Sequence, residues 1–205
     1  MNETNRKLVH ISGLLFVVLA QFAGKWAAAF YFMVIAATLL IYSEHIRREH
    51  RRFRGFLKRF EEQFRDIVLE LERKEVPRPF VGAFWFFFGC GVAFIAFPLN
   101  VASAACAMLA VGDGLSTMIG MRYGRHKIVG KKSWEGSLAM FVFSLAVGLF
   151  FLKPMVVIAG AAVATLFELL PEARFFHRHR RLGFMDDNWL VPLAAGAAML
   201  ALAAF

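Results

Sequence analysis

Residues 99–119 read LNVASAACAMLAVGDGLSTMI. The stretch carries one charge, Asp113, and has the length of a single membrane-crossing helix, which needs roughly 17–25 mostly apolar residues. Working outward, six more apolar runs flank it, at 8–23, 26–42, 80–97, 137–152, 155–170 and 189–205. The fifth and sixth runs of the resulting seven, 137–152 and 155–170, are short. Lys153-Pro154 between them reads either as a tight hairpin turn or as the break in a pair that spans only partly. The first run follows Arg6 and Lys7 as a signal peptide would. No small-x-small cleavage site comes after it and six more runs do, so it is read as the first span.

Composition agrees with this pattern. The 205 residues are 59% hydrophobic, with 24 Phe and 16 Gly besides, and mean hydropathy is +0.57. An ordinary soluble domain has about 45–50% apolar residues with glycine counted, and a globule this small has too much surface to hide the excess. A disordered chain, a disulfide scaffold and an ordinary soluble enzyme are excluded. Cys90 and Cys106 lie inside apolar runs and read as small core residues. The expected fold is all-α: a polytopic membrane protein of about seven transmembrane helices forming one domain over 1–205.

Charge orients it. Of the 24 Lys and Arg, all but Lys25 and Lys153 fall on the side that holds the N-terminus and the loops 43–79, 120–136 and 171–188. Basic residues collect on the cytoplasmic side, so the N-terminus and the loops are expected in the cytosol and the C-terminus outside. The net charge of +9 is then a membrane property. No motif for nucleic acid accompanies it.

Residues 44–75 are not a span. Phe53, Phe56, Leu57, Phe60, Phe64, Ile67, Val68 and Leu71 keep helical spacing, with a basic first half and a mostly acidic second half. This predicts a long amphipathic helix on anionic lipid head groups. A sharper reading has it cap the site or guide lipid into it.

Polar residues at the ends of apolar runs are the candidates for chemistry. An unpaired Asp in a span costs about 2.5–3.5 kcal/mol. Asp113, between Gly112 and Gly114, therefore either caps a helix break or needs a cation, a donor or water. The loop MRYGRHKIVGKKSWEG at 121–136 combines Arg122, Lys131, Lys132, Ser133 and Glu135 with glycines, the makings of a polyphosphate cradle. It misses the Walker pattern: Gly124 and Gly130 are one residue too far apart, and Lys131 is followed by Lys. In the last loop, Glu168 ends the sixth run and Asp186-Asp187-Asn188 precede the seventh. These acids either cap helices or join Asp113 in an all-oxygen site for Mg²⁺. Between them, His177, Arg178, His179, Arg180 and Arg181 read as a lipid anchor or as phosphate contacts. Phe84–Phe88, with Trp85 inside, offers an aromatic lipid groove or plain lipid-facing packing. Acidic groups for a metal and basic groups for polyphosphate, on the cytosolic face of a membrane, point to a reaction between a nucleotide and a lipid.

The run GDGLSTMIGMRYGRHKIVGKKSWEGSLAMF at 112–141 resembles the signature of the dolichol kinase and phytol kinase family, which includes CTP-dependent diacylglycerol kinases and is distantly similar to phosphatidate cytidylyltransferases. Arg6-Lys7-Leu8-Val9-His10 resembles its N-terminal R-K-x-x-H pattern. Arg73-Lys74-Glu75 with Gly82, Trp85 and Gly89 resembles its R-x-E, G-x-x-W, G segment. Asp186-Asp187-Asn188 with Pro192 resembles its D-D-N ending.

The resemblance implies a kinase that moves the γ-phosphate of CTP, with Mg²⁺ or another divalent cation, onto a membrane isoprenoid alcohol of the dolichol, polyprenol, phytol or geranylgeraniol type. It implies that Asp113 binds the metal or acts as base, with Asp186, Asp187 and Glu168 completing the metal site. Gly112 and Gly114 admit the nucleotide. Lys131, Lys132, Ser133 and Arg122 hold phosphates, and Glu135 orients Lys132 or a water on the metal. Arg6, Lys7 and His10 reach phosphate or alcohol, and Arg73, Glu75 and Asn188 support them. His10 is equally compatible with a hydrogen-bonded helix residue. The expected location is the cell (inner) membrane, and association into a homo-oligomer is left open.

Two rivals stand beside this. A cytidylyltransferase signature has S-x-x-K-T-x-E-G; here Ile128 replaces that Ser and Ser133 the Thr, which favours the kinase. A transporter or scaffold with anion-binding loops is the non-enzyme alternative, and no internal repeat supports it.

Overall fold

The computed structural model describes residues 3–48, 81–172 and 186–203. The long amphipathic segment beyond residue 48, Arg73, Glu75 and the basic cluster at 177–181 lie outside the described residues. Each of the seven apolar runs forms a helix among the described residues: α1 (Glu3–Ala23), α2 (Lys25–Arg48), α3 (Val81–Ala96), α4 (Leu99–Tyr123), α5 (Trp134–Gly148), α6 (Pro154–Leu169) and α7 (Asp187–Ala203). Among the described residues, two helices, Lys25–Glu44 and Leu99–Tyr123, are long and apolar enough to cross a membrane by length and composition. The α5 and α6 helices have 15 and 16 residues. At 1.5 Å per residue each reaches about 22–24 Å, short of a hydrocarbon core of about 30 Å. They form a packed hairpin, with Pro154 starting α6 at a position where its missing N–H costs nothing.

The α4 helix is the centre. Ala102 through Leu109 are all fully buried, and small side chains there let α1, α3, α5 and α7 approach closely. Phe32 and Phe94 stack at 5.4 Å between ring centres and join α2 to α3. Cys90 and Cys106 are buried and free, as expected of core residues.

Two features were not anticipated. Met108–Asp113 is a π-helical segment inside α4, an insertion that commonly marks functional sites. The loop after α4 contains a small antiparallel hairpin, β1 (Lys127–Val129) and β2 (Lys132–Ser133). Val129 pairs with Lys132, which leaves Gly130-Lys131 as a two-residue turn. Gly130 adopts φ +52°, the left-handed conformation such a turn demands.

Candidate functional site

The site forms where the π segment of α4 meets α1, β2, α6 and the start of α7. Asp113, 1% exposed, closes the π segment. Lys7 of α1 donates to its Oδ2 at 2.5 Å. The His10 Nε2 lies 3.5 Å from the same oxygen, and its ring packs edge-on against Phe86. Thr117 donates to Asp113 Oδ1 at 3.4 Å. Gly114 lets α1 sit this close, because a Cβ there would meet the Ile11 side chain.

A second, partly buried pair lies alongside. Lys132, on β2, donates to Oε1 of Glu168, which is 2% exposed near the end of α6. Ser116 ties Glu168 to the α4 backbone, since its hydroxyl lies 3.3 Å from Glu168 Oε1 and 3.1 Å from the backbone carbonyl of Asp113. Burial by itself would lower the Lys132 pKa. The carboxylates of Glu168, then Asp113 and Asp187, reverse that and raise it well above the ordinary lysine value.

Asp186 and Asp187 open α7. Asp186 accepts from the Asn188 backbone at 3.0 Å and from its side chain at 2.7 Å, so it caps the helix. Burial, then the charge of Asp187, pushes Asp186 up to about 7. Gly89 of α3 sets the position of this end. A Cβ there would stand 2.6 Å from Trp189 Cα and 2.7 Å from the Asn188 carbonyl.

The hairpin residues divide by side. Lys132 turns inward, whereas Lys131 and Arg122 are exposed and the Arg122 guanidinium lies over the Tyr123 ring at 5.5 Å. Ser133 is buried and caps α5, accepting from Gly136 N at 3.2 Å. Glu135 does not orient Lys132. It accepts from His126, ring Nδ1 at 2.8 Å and backbone N at 3.3 Å, and so fastens the hairpin base to α5. The reason is reach: Glu135 sits in the first turn of α5 beside His126, while Lys132 points to α6. Hydrogen bonds from its own backbone N–H and from His126 pull the Glu135 carboxyl down to about 2. Gly112 is packed against Met140 and Ser144. Arg6 lies on α1.

The sequence reading missed Ser116 and Thr117. Their spacing of three and four from Asp113 was the available signal, because it puts them on one helix face with it.

Whether a divalent cation suits these residues turns on charge and donor type. Asp113, Glu168, Asp186 and Asp187 stand against the two lysines, and Glu168 Oε2 is buried with no hydrogen-bond partner among the described residues. No three acid, His or Cys side chains among the described residues gather closely enough to hold an ion alone. Mg²⁺ does not require that: it commonly binds one or two carboxylates plus substrate phosphates. The residues fit such a cation. An apolar groove of about 500 Å³, lined by Ile128, Val129, Leu166, Phe167, Leu169 and Leu170, runs beside the hairpin on the outer face of α6.

The chain is distantly similar to phytol kinases. It is 30% identical over 217 residues to "Probable phytol kinase 1, chloroplastic" of Glycine max, covering 94% of this chain and 65% of that protein. It is 42% identical over 55 residues to "Phytol kinase" of Synechocystis sp., covering 25% of this chain and 24% of that protein. An uncharacterised protein of Rickettsia prowazekii is 25% identical over 199 residues, 94% of this chain and 90% of its own length. No family model matches, and no solved structure matches.

Proposed function

We propose that the protein is a membrane-embedded kinase that transfers the γ-phosphate of CTP to an isoprenoid alcohol. The observation that carries this reading is the cluster of buried Asp113, Glu168 and Lys7 with the partly exposed Lys132 beside the π segment of the central helix. The similarity to phytol kinases along 94% of the chain supports it.

A membrane setting is supported by the two long apolar helices and by large side chains left in the open: Phe22 and Phe150 at 85% exposed, Met155 at 78% and Trp26 at 69%. Such a surface is stable against lipid and costly against water. The charge asymmetry supports a cytosolic N-terminus and site.

In this reading Asp113 and Glu168 hold the divalent cation with Asp187 at hand. When bound, the cation neutralises phosphate charge. Lys7 and Lys132 take the remaining phosphate oxygens. Lys131 and Arg122, exposed on the rim, draw in the nucleotide. Asp187, half-buried at the start of α7, accepts the proton of the alcohol. The alcohol oxygen bonds to the γ-phosphorus, the bond to the β–γ bridging oxygen breaks, and CDP leaves. The apolar groove beside β1 suits the isoprenoid chain, which keeps its tail out of water while the hydroxyl reaches the cluster.

The test is Asp113→Asn in purified protein, with CTP, Mg²⁺ and a panel of isoprenoid alcohols, diacylglycerol and phosphatidate. Loss of at least 100-fold in lipid phosphorylation with an unchanged elution profile is expected, on the order of the effect of removing one electrostatic partner from a transition state. Full activity in the variant overturns the role of Asp113.

A further inference from the structure

The two ion pairs are built unequally. Each carboxylate is held by a second donor on α4: Thr117 for Asp113, and Ser116 for Glu168 of α6. Each lysine arrives on a long side chain from a peripheral element, Lys7 from the first turns of α1 and Lys132 from the hairpin. The pairs join segments far apart in sequence, 106 and 36 residues. A second cation entering this cluster therefore meets acids that are anchored and lysines that can swing. Lysine suits that part, being a compact ammonium on a flexible stem with three rotatable donors.

We propose that Lys7 and Lys132 are resident counter-ions that a divalent cation displaces. In the nucleotide-free protein they neutralise Asp113 and Glu168. When the cation arrives with a polyphosphate, the carboxylates pass to the cation and the ammonium groups turn to the phosphate oxygens. The exchange keeps every buried charge partnered throughout, which a site in low dielectric requires. It also makes the cation and the nucleotide cooperative. The cation alone must evict lysines that then have no acceptor, whereas cation plus polyphosphate supplies one. This inference rests on the cation-dependent reading of the site. It concerns how the empty site is kept neutral, whatever group is transferred.

The experiment measures Mn²⁺ binding to nucleotide-free protein in detergent by electron paramagnetic resonance. Lys7→Met removes the competitor of Asp113 and should tighten Mn²⁺ about tenfold, within the 5–150-fold range common for coupled sites. The same substitution should weaken CTP binding in the presence of Mn²⁺ by a similar factor. Asp113→Asn should abolish the tightening when combined with Lys7→Met. Mn²⁺ affinity in Lys7→Met equal to or weaker than wild type overturns the proposal.

A second measurement needs no variant. Amine labelling of the wild-type protein, read by mass spectrometry, should accelerate at Lys7 and Lys132 on adding Mn²⁺ alone, and slow again when CTP is added with it. Labelling at both lysines that ignores Mn²⁺ overturns the exchange. The kinase reading fails separately, through absence of lipid phosphorylation by a protein that still shows both Mn²⁺ effects.

Discussion

Gly89 offers a perturbation that reaches the site without touching it. It lies on α3, where α7 crosses it, and an added Cβ would stand 2.6 Å from Trp189 Cα. Ordinary contact begins near 3.4 Å, so Gly89→Ala must push the start of α7 away by about 0.8 Å. The atoms in the way are backbone, which cannot rotate aside. Overpacking of this kind costs about 1–3 kcal/mol. The displaced residues include Asp186, Asp187 and Asn188. A misplacement of 1 Å costs about 100-fold in rate, and scaling the logarithm by 0.8 gives about 40-fold. The assay is turnover under saturating CTP together with the thermal midpoint in detergent. Gly24→Ala is the control. Gly24 sits at φ +84° with nothing within 4 Å of its added Cβ, so the alanine variant should lose about 1–2 kcal/mol and keep its turnover. A Gly89→Ala protein with wild-type turnover and midpoint refutes the argument that the α3–α7 contact sets the position of the acid pair.

Lys132→Met leaves the Glu168 carboxylate buried and unpaired, and should cost about 3 kcal/mol. That is the low end for a broken buried pair, because the Lys132 side chain is 20% exposed. The double variant Lys132→Met/Glu168→Gln should recover most of the thermal midpoint and none of the lipid phosphorylation; recovery of both would remove this pair from the chemistry. The Glu135 carboxyl has a depressed folded pKa, about 2 against an ordinary 4.5. Its stabilisation is therefore complete above pH 4.5 and is lost as pH falls toward 2. Between pH 5 and 2.5 the wild-type midpoint should fall further than that of Glu135→Gln, and parallel curves would contradict the His126–Glu135 clasp.

The seven helices were legible because each is an apolar run bounded by charge, Gly or Pro, and their limits came within about six residues, the polar ends of α1 and α2 extending furthest past the apolar runs. Whether such a run crosses a membrane is a matter of length, and among the described residues only α2 and α4 reach it, while the apolar stretches of α1, α3, α5, α6 and α7 are shorter than the expected seven spans required. The π segment was not legible. Within it Gly112 lies against Met140 and Ser144 of a helix more than 25 residues away, and no local pattern records that contact. The hairpin was overlooked because the cations of 121–136 drew the reading toward a phosphate cradle. Gly130-Lys131 between two short β-compatible stretches was the signal for it. Asp113, Glu168 and Lys132 were legible as charges that an apolar setting cannot leave unpaired. Their partners were not, since Lys7 meets Asp113 across 106 residues and Lys132 meets Glu168 where Glu135 was expected.

The most direct measurement supplies the purified protein with Mg²⁺, isoprenoid alcohols, diacylglycerol and phosphatidate, and with CTP labelled at either the α- or the γ-phosphate. The account predicts that γ-label enters an isoprenoid alcohol as its monophosphate, while α-label stays in the nucleotide. Transfer of α-label to phosphatidate or a prenyl phosphate would mean a cytidylyltransferase, and transfer of neither label by folded protein would mean that the acid–lysine cluster serves no nucleotide chemistry.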